Sequence, residues 1–381
     1  MHHTKRILVT GAAGTVGGFI VGHLLEKGYG VIATDLSSNE MAAHFSFWCR
    51  CATRGACDSI PSFSEIIQSG DLTNPNFVKS LFNKKKIDAV IHAAALIDVA
   101  LSYEKLEGAN VRAPLNLYHE LAKTDGKTFV FLSSGSIYAD AALLEETTPF
   151  HPNSPYEQTK VDAEKLLQEE YASNPNGPKL TILRPSLIYG PRNRFLAANY
   201  LAGSIIFAEL MGKAMPRFFT GPKTNLVHAE DVACAAIFLL ENEATQTPGN
   251  NAFNICDDSV FGFGDHLSAM VEACGYKTLS LRLPLPPAKL IGLLKSIYNS
   301  PAFLKMLNAA LQGIWKAIAK KYGLVEGFTP DISPAMTPFF GQDTIFSNKK
   351  IKSLGFRLLH PDFRQGIKTV IPWYKAHRWI P

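Results

Sequence analysis

A strand, a glycine-rich turn and an apolar helix follow one another at the start of this chain. Arg6 to Thr10 read as a short strand centred on Ile7-Leu8-Val9 and run into Gly11-Ala12-Ala13-Gly14-Thr15-Val16-Gly17, then into the helical stretch Phe19 to Leu25. Glycines at this spacing allow a tight turn and let backbone approach a pyrophosphate closely. The free amides at the helix start, at Thr15, Val16 and Gly17, then face the phosphates. A second strand, Gly30 to Thr34, ends on Asp35. A carboxylate there can accept both hydroxyls of an adenine ribose and would repel a 2′-phosphate. The next residue is Leu36 rather than an arginine, which favours NAD over NADP.

Strand-like runs at 6–10, 30–34, 66–70, 88–93, 128–133 and 179–184 alternate with helical runs at 15–27, 75–83, 105–123 and 155–172. Such alternation predicts an α/β fold, a doubly wound parallel Rossmann sheet with helices on both faces. Ligands of such sheets lie beyond the carboxyl ends of the strands. Gly11, Asp35, Asp71, Ala93, Ser134 and Arg184 fall at or just past such ends. The expected NAD-binding unit is 1–185 with returning segments near 225–256. Residues 186–224 and 257–381 then form a smaller, interleaved substrate lobe.

Tyr156 and Lys160 stand four apart and so share one helix face. A phenol titrates near ~10 and is a poor base at neutral pH, but an adjacent ammonium favours its phenolate. The pair is a proton-transfer device for a substrate hydroxyl.

These motifs, in this order, resemble an extended short-chain dehydrogenase/reductase, a member of the NAD-dependent epimerase/dehydratase superfamily. The Gly11-x-x-Gly14-x-x-Gly17 spacing is that of the group. Gly70-Asp71-Leu72 resembles its adenine-contacting strand end. Ala89 to Ala95 resembles the strand whose small residues Ala93, Ala94 and Ala95 pass the cofactor. Asn110 resembles its structural asparagine, and Phe131 to Tyr138 the strand that delivers a catalytic serine. Glu146-x-x-Pro149-x-x-Pro152-x-x-x-Tyr156-x-x-x-Lys160 and Arg184 to Pro191 are close to its pattern. The resemblance implies Tyr156 as catalytic base or acid, with Lys160 lowering its pKa and holding the nicotinamide ribose. It also implies Ser134 as the group that orients the substrate oxygen. Ser133 and Pro185 are expected to contact the cofactor with Asp71 and Leu72. A homodimer through a helix pair that includes the Tyr156 helix is implied as well.

Departures from the family narrow the substrate. The 4,6-dehydratases place an Asp-Glu pair after the catalytic Thr or Ser, where this chain has Gly135-Ser136. Sugar-nucleotide epimerases usually have Asn at Leu187 and an arginine for the diphosphate near Thr224. Losing both removes charge-assisted bonds that a buried diphosphate needs. The expectation is an NAD-dependent dehydrogenase of the 3β-hydroxysteroid/sterol type, acting on a small apolar secondary alcohol or ketone. The alternatives are a nucleotide-sugar 4-epimerase and a non-catalytic dinucleotide-sensing regulator. Sensors of that kind typically lose the Tyr-x-x-x-Lys pair, which is kept here.

Between Leu285 and Gly323 the chain carries six lysines and no acid. Lys305, Asn308, Gln312, Lys316 and Lys320 form one helix face, opposite Phe303, Leu304, Leu307, Leu311, Ile314, Trp315 and Ile318. A basic amphipathic helix suits the surface of an anionic membrane, or else packs as a lid with a solvated lysine face. This stretch resembles the insertion of the hydroxysteroid dehydrogenases.

The formal net charge of +5 is too mild to argue for nucleic acid. No apolar run approaches the ~20 residues of a membrane span. The first strand begins within a few residues of Met1, so no signal peptide is expected. The expected location is the cytoplasm, with peripheral membrane contact through 285–323 as an addition. Cys49, Cys51, Cys57 and His44 cluster without a paired C-x-x-C, so a packing insert rather than a metal site is expected. Cys234, Cys256 and Cys274 read as core residues.

Overall fold

In the computed structural model, residues 5–42, 63–98, 101–217, 221–242, 249–282, 300–325, 327, 329–331 and 342–381 are described. The first half alternates β1 (Arg6–Thr10), α1 (Thr15–Glu26), β2 (Gly30–Thr34), α2 (Pro75–Lys84), β3 (Ala89–His92), α3 (Ala113–Ala122), β4 (Thr128–Leu132), α4 (Pro155–Ser173) and β5 (Lys179–Pro185). The second half adds β6 (Leu187–Tyr189), α5 (Leu196–Leu210), β7 (Ala214–Arg217), β8 (Lys223–Thr224), β9 (Leu226–His228), α6 (Ala229–Glu241) and β10 (Ala252–Ile255). It ends with β11 (Phe261–Gly262), α7 (Phe263–Ala273), β12 (Lys277–Arg282), α8 (Pro301–Tyr322), α9 (Lys349–Ser353) and α10 (Phe363–Ala376).

The main sheet has the order β10-β5-β4-β3-β1-β2, and every pair in it is parallel. Its strands are apolar throughout because helices cover both faces. Along β1 the side chains alternate. Ile7 and Val9 pack with Phe19 and Ile20 of α1 and Val232 and Ala236 of α6. Leu8 points the other way, into Val78 and Leu81 of α2, Leu117 of α3 and Leu167 of α4.

Two expected elements differ. The run at 66–70 is not a strand: 63–66 is a single helical turn, and pairing is reduced to one bridge between Ala33 and Ile67. Gln68 and Gly70 still donate their amides to Ala33 and Asp35, at 3.0 Å each, so the segment lines the edge of β2 without forming a ladder. The helix expected at 105–123 begins at Tyr103 and contains a π-helical stretch, Gly108–Arg112, before α3.

After Pro185 the chain enters the second lobe. The expected return at 225–233 is partial. β9 pairs with β6 in a separate two-stranded sheet, while α6 covers the main sheet. Only β10 joins that sheet, beside β5. The lobe core gathers Tyr189, Leu201 and Ile205, Met270 of α7, Trp315 and Ile318 of α8, and Phe363, Ile367 and Val370 of α10. Glu209 secures the end of α8. It accepts from Tyr276 Oη and Tyr322 Oη at 2.9 Å each and from Lys321 Nζ at 2.8 Å. The polar stripe of α8 is not continuous, as the sequence had implied. Gln312 reaches Pro330 O at 3.5 Å and Asn308 bonds Asp331. Lys305, Lys316 and Lys320 remain exposed, interleaved with Ala309, Gly313, Ala317 and a 62% exposed Met306. Residues 283–299, including the first part of the basic region, and the Cys49, Cys51, Cys57 and His44 cluster lie outside the described residues. Cys256 and Cys274 are buried and Cys234 is half-buried.

One buried network ties the Tyr156 helix to the rest. Arg184 at the end of β5 donates from Nη2 to Glu164 Oε2 at 2.6 Å and from Nε to Glu164 Oε1 at 3.0 Å. Its Nη1 donates to Tyr138 Oη at 2.8 Å, and Tyr138 donates to Asn254 Oδ1 of β10 at 2.6 Å. Both members of the ion pair are at most 5% exposed. Truncating one partner strands the other charge. Glu164→Ala is expected to lose about 3–5 kcal/mol in urea unfolding. A loss under about 1 kcal/mol would mean that the pair is solvated in solution.

Candidate active site

The glycine turn is built from contacts that exclude side chains. Gly11 has φ +66°, and a Cβ there would lie 2.7 Å from Ala94 N. A Cβ on Gly14 would lie 3.0 Å from Gly11 O, and one on Gly17 would collide with the same oxygen. The turn thus seats β1 against the end of β3 and α1 against both. No side chain caps the start of α1, so the amides of Thr15, Val16 and Gly17 are available to an anion. Asp35 Oδ2 accepts from Ala13 N at 2.9 Å and Oδ1 from Leu36 N at 2.8 Å. The carboxylate therefore props the turn and keeps further lone pairs for ribose hydroxyls.

Arg192 completes this corner and escaped the sequence reading. It follows Tyr189-Gly190-Pro191, adopts φ +66° and is buried. Its guanidinium donates to Ala13 O and, at 3.1 Å, to Gly14 O. A positive charge from the second lobe thus sits on the turn. The available signal was an arginine directly after a glycine-proline turn, but its target is 178 residues away.

At the end of β3, Ala93 to Ala95 are half-buried, and Ala94 N donates to Thr10 Oγ1 at 3.2 Å. Asn110, in the π-helical stretch, accepts from Leu96 N at 2.8 Å and donates to Leu96 O and Thr159 Oγ1 at 3.1 Å each. Thr159 in turn donates to Tyr156 O at 2.7 Å. One amide side chain therefore joins the strand-end loop to the first turn of α4. The start of that turn is set locally. Ser154 Oγ accepts from Glu157 N at 3.2 Å, Glu157 Oε2 accepts from Asn153 N at 2.6 Å, and Pro155 occupies the first turn.

Ser134, Tyr156 and Lys160 come together past the end of β4. Ser134 Oγ accepts from Ser136 N at 3.2 Å, lies 2.9 Å from Ser136 Oγ and hydrogen-bonds the Tyr156 phenol. Lys160 is buried; its Nζ donates to Leu132 O at 2.9 Å and lies 6.0 Å from the Tyr156 ring centre. The electrostatics differ from the expectation. Burial pushes the Tyr156 phenol well above its ordinary value, opposed by the Ser134 bond, and Lys160 is not among the groups that lower it. The ammonium is spent on a backbone carbonyl rather than on the phenol. Burial also lowers Lys160, to about 8, against the pull of Glu164. His92, held by Thr10 Oγ1 at 2.8 Å, is lowered to about 3 by burial and then by Lys160.

The other named positions are more peripheral. Asp71 is exposed and accepts from Thr73 N at 2.8 Å, while the Leu72 side chain packs in the core and leaves only its backbone for a ligand. Pro185 ends β5 opposite Ile255. Ser133 Oγ is buried without a hydrogen-bond partner among the described residues, a state a ligand atom or water would relieve. Together with the side-chain-free glycine turn, it fits a bound dinucleotide. Leu187 packs against the lobe core, and Thr224 is buried.

Elsewhere, His228, Glu230 and His360 bring metal-type donor atoms within 4.8 Å of one another. Most of these donors are already engaged, His228 Nε2 being without a hydrogen-bond partner among the described residues. Glu230 Oε1 holds His23 Nε2 at 3.1 Å, Oε2 holds His360 Nε2 at 2.9 Å, and His228 Nδ1 accepts Glu230 N at 3.1 Å. The group clamps α1 to the segment before α10.

The lowered Lys160 sets a pH dependence. Between about 8 and the ordinary lysine value, the unfolded chain binds a proton there that the folded protein does not. Stability contributed at this position is present above that window and is lost as pH falls towards about 8. Urea unfolding on either side of the window should show stability rising with pH in the native protein. Lys160→Met should remove that rise, and equal slopes in both would refute the buried, lowered ammonium.

The profile of the NAD dependent epimerase/dehydratase family matches residues 7–256. The chain is 26% identical over 386 residues to a 3-beta-hydroxysteroid dehydrogenase of Mycolicibacterium neoaurum, covering 97% of this chain and 91% of that one. It is 30% identical over 267 residues to a UDP-glucose 4-epimerase of Schizosaccharomyces pombe, covering 63% of this chain and 71% of the other. Among solved structures, the UDP-glucose 4-epimerase of Thermotoga maritima with UDP-glucose superposes with a TM-score of 0.66 at 21% identity, covering 97% and 99% of the two chains.

Proposed function

Because this chain belongs to the NAD dependent epimerase/dehydratase family and is an NAD-dependent enzyme of the extended short-chain type, we infer that it interconverts an apolar secondary alcohol and its ketone. The observation that carries this reading is the wall beside the cofactor strand. Directly after Ala93–Ala95 the loop exposes Leu96 (38%) and Ile97 (43%), which suit a greasy substrate rather than a sugar diphosphate. Apolar Leu187 and buried Thr224 support it, as does a hydroxysteroid dehydrogenase relative that spans nearly the whole chain.

NAD supplies a hydride acceptor and donor when bound. The amides of Thr15 to Gly17, the Asp35 carboxylate and Arg192 would hold it, with Ala93 to Ala95, Ser133, Pro185 and the backbone near Asp71 and Leu72 along its course. Ser134 donates to the substrate oxygen and holds it near Tyr156. Burial keeps Tyr156 protonated, the form that gives a proton to a ketone oxygen. In the oxidising direction Tyr156 must first give up its own proton and then takes the hydroxyl proton as phenolate, with Lys160 Nζ 6.0 Å from its ring centre as the cation on the same helix face.

A second reading, a UDP-sugar 4-epimerase, is favoured by the fission-yeast relative. Nicotinamide absorbance separates the two. Hydroxysteroids should reduce NAD, and UDP-sugars should leave both cofactor and sugar unchanged. Sugar interconversion without net NADH would overturn the alcohol reading. Tyr156→Phe should lower turnover by roughly 10²–10⁴-fold while NAD still binds. Near-native turnover in that variant would remove Tyr156 from the chemistry.

No helix among the described residues is long and apolar enough to cross a membrane. The α8 face proposed for peripheral contact instead presents Met306 among Lys305, Lys316 and Lys320. Replacing the three lysines by glutamate should abolish co-sedimentation with phosphatidylserine vesicles. Unchanged or absent sedimentation in both proteins would make α8 a packed lid. The cytoplasmic location and the homodimer belong to this same reading.

A further inference from the structure

Gly135, the residue after Ser134, is kept bare by a side chain from the far end of the chain. A Cβ on Gly135 would lie 2.5 Å from Phe346 Cε1, 2.9 Å from Phe346 Cζ and 2.9 Å from Pro185 O. The carbonyl belongs to the sheet and cannot withdraw. Phe346 has little more freedom, being 7% exposed and packed among Tyr138, Leu144 and Cys256. Its backbone is pinned on both sides. Phe346 N donates to Asn225 Oδ1 at 2.9 Å, and Phe346 O accepts from Asn225 Nδ2 at 3.0 Å and Cys256 Sγ at 3.3 Å. The flanking residues bond Leu144, whose N donates to Ile345 O at 2.7 Å and whose O accepts from Ser347 N at 2.9 Å.

We propose that Phe346 is a positioning residue for the Ser134 hydroxyl. Its ring is the stop against which the Ser134-Gly135-Ser136 turn rests. Ser134 Oγ takes its place from Ser136 N at 3.2 Å and Ser136 Oγ at 2.9 Å, so moving residue 135 moves both supports. The ring also fills the side of the turn where a second acid–base side chain would have to stand. The site is thereby held to hydride and proton transfer and denied elimination chemistry. This inference rests on the reading that Ser134 orients the substrate oxygen.

The test pairs Gly135→Ala with Phe346→Ala. Crystal structures of the NAD complexes should show Ser134 Oγ displaced in Gly135→Ala by at least ~0.5 Å, the tolerance of a productive site. The hydroxyl should move back towards its place in the double variant, where only the contact with Pro185 O remains. Turnover on the wild-type substrate should fall between ~10 and ~100-fold in Gly135→Ala and rise again in the double variant, with KM for NAD unchanged throughout. If Gly135→Ala fails to fold, Phe346→Trp applies the same push from the other side with Gly135 intact. An unmoved Ser134 in the single variant, or a displacement no smaller in the double variant, overturns the proposal. Rescue of the Ser134 position in a protein that turns over neither hydroxysteroids nor UDP-sugars would sink the functional reading and leave this one standing. Turnover indifferent to both substitutions would do the reverse.

Discussion

Everything in the cofactor half is arranged around one steric fact: the backbone at Gly11 passes so close to Ala94 that no side chain fits between them. That approach fixes the height of β1 against β3, and with it the start of α1. Ala94 N then meets Thr10 Oγ1, and Thr10 Oγ1 meets His92, so the strand ends are cross-bonded beneath the turn. Asp35 props the same turn from β2 and Arg192 from the second lobe. The acid and base residues inherit their positions from this frame, since Asn110 carries the register of the β3 loop across to Thr159 and the first turn of α4.

Burial, rather than charge pairing, sets the protonation of Tyr156. A half-buried phenol beside a lysine invites the idea that the lysine makes it acidic. Here Lys160 donates to Leu132 O instead, and desolvation raises the phenol while lowering the amine. The phenol rises and the amine falls, so the two draw apart on the titration scale, as expected when both lose water and neither is paired with the other. The buried Arg184–Glu164 pair shows the opposite regime, in which burial works against the Arg184 guanidinium and the facing Glu164 more than reverses it.

The features legible in the sequence were those whose signal is local. The glycine spacing, the acid at the end of β2 and the Tyr156/Lys160 pair each span a short stretch of chain and follow from turn sterics or helix period. The run at 66–70 misled because an apolar segment at a sheet edge looks like a strand whether or not it has the neighbours for a ladder; Ile67 bridges Ala33 and pairing stops there. The stripe on α8 misled differently. Helical period places Asn308 and Gln312 with the lysines, but Pro330 and Asp331 draw those two inward, and no spacing rule encodes them. Arg192 and Phe346 were invisible for the same reason, since their targets lie far away along the chain.

The sheet closes with β10, a strand that arrives only after two excursions into the other lobe, and Tyr138, Arg184 and Asn254 meet across it. A growing chain that has already formed β1 to β5 therefore holds Tyr138 without its acceptor until Asn254 leaves the ribosome. Glu146 waits as well, since its carboxylate accepts the amide of Asn254. A nascent chain stopped just after Pro185 would present β5 as an open sheet edge to its surroundings.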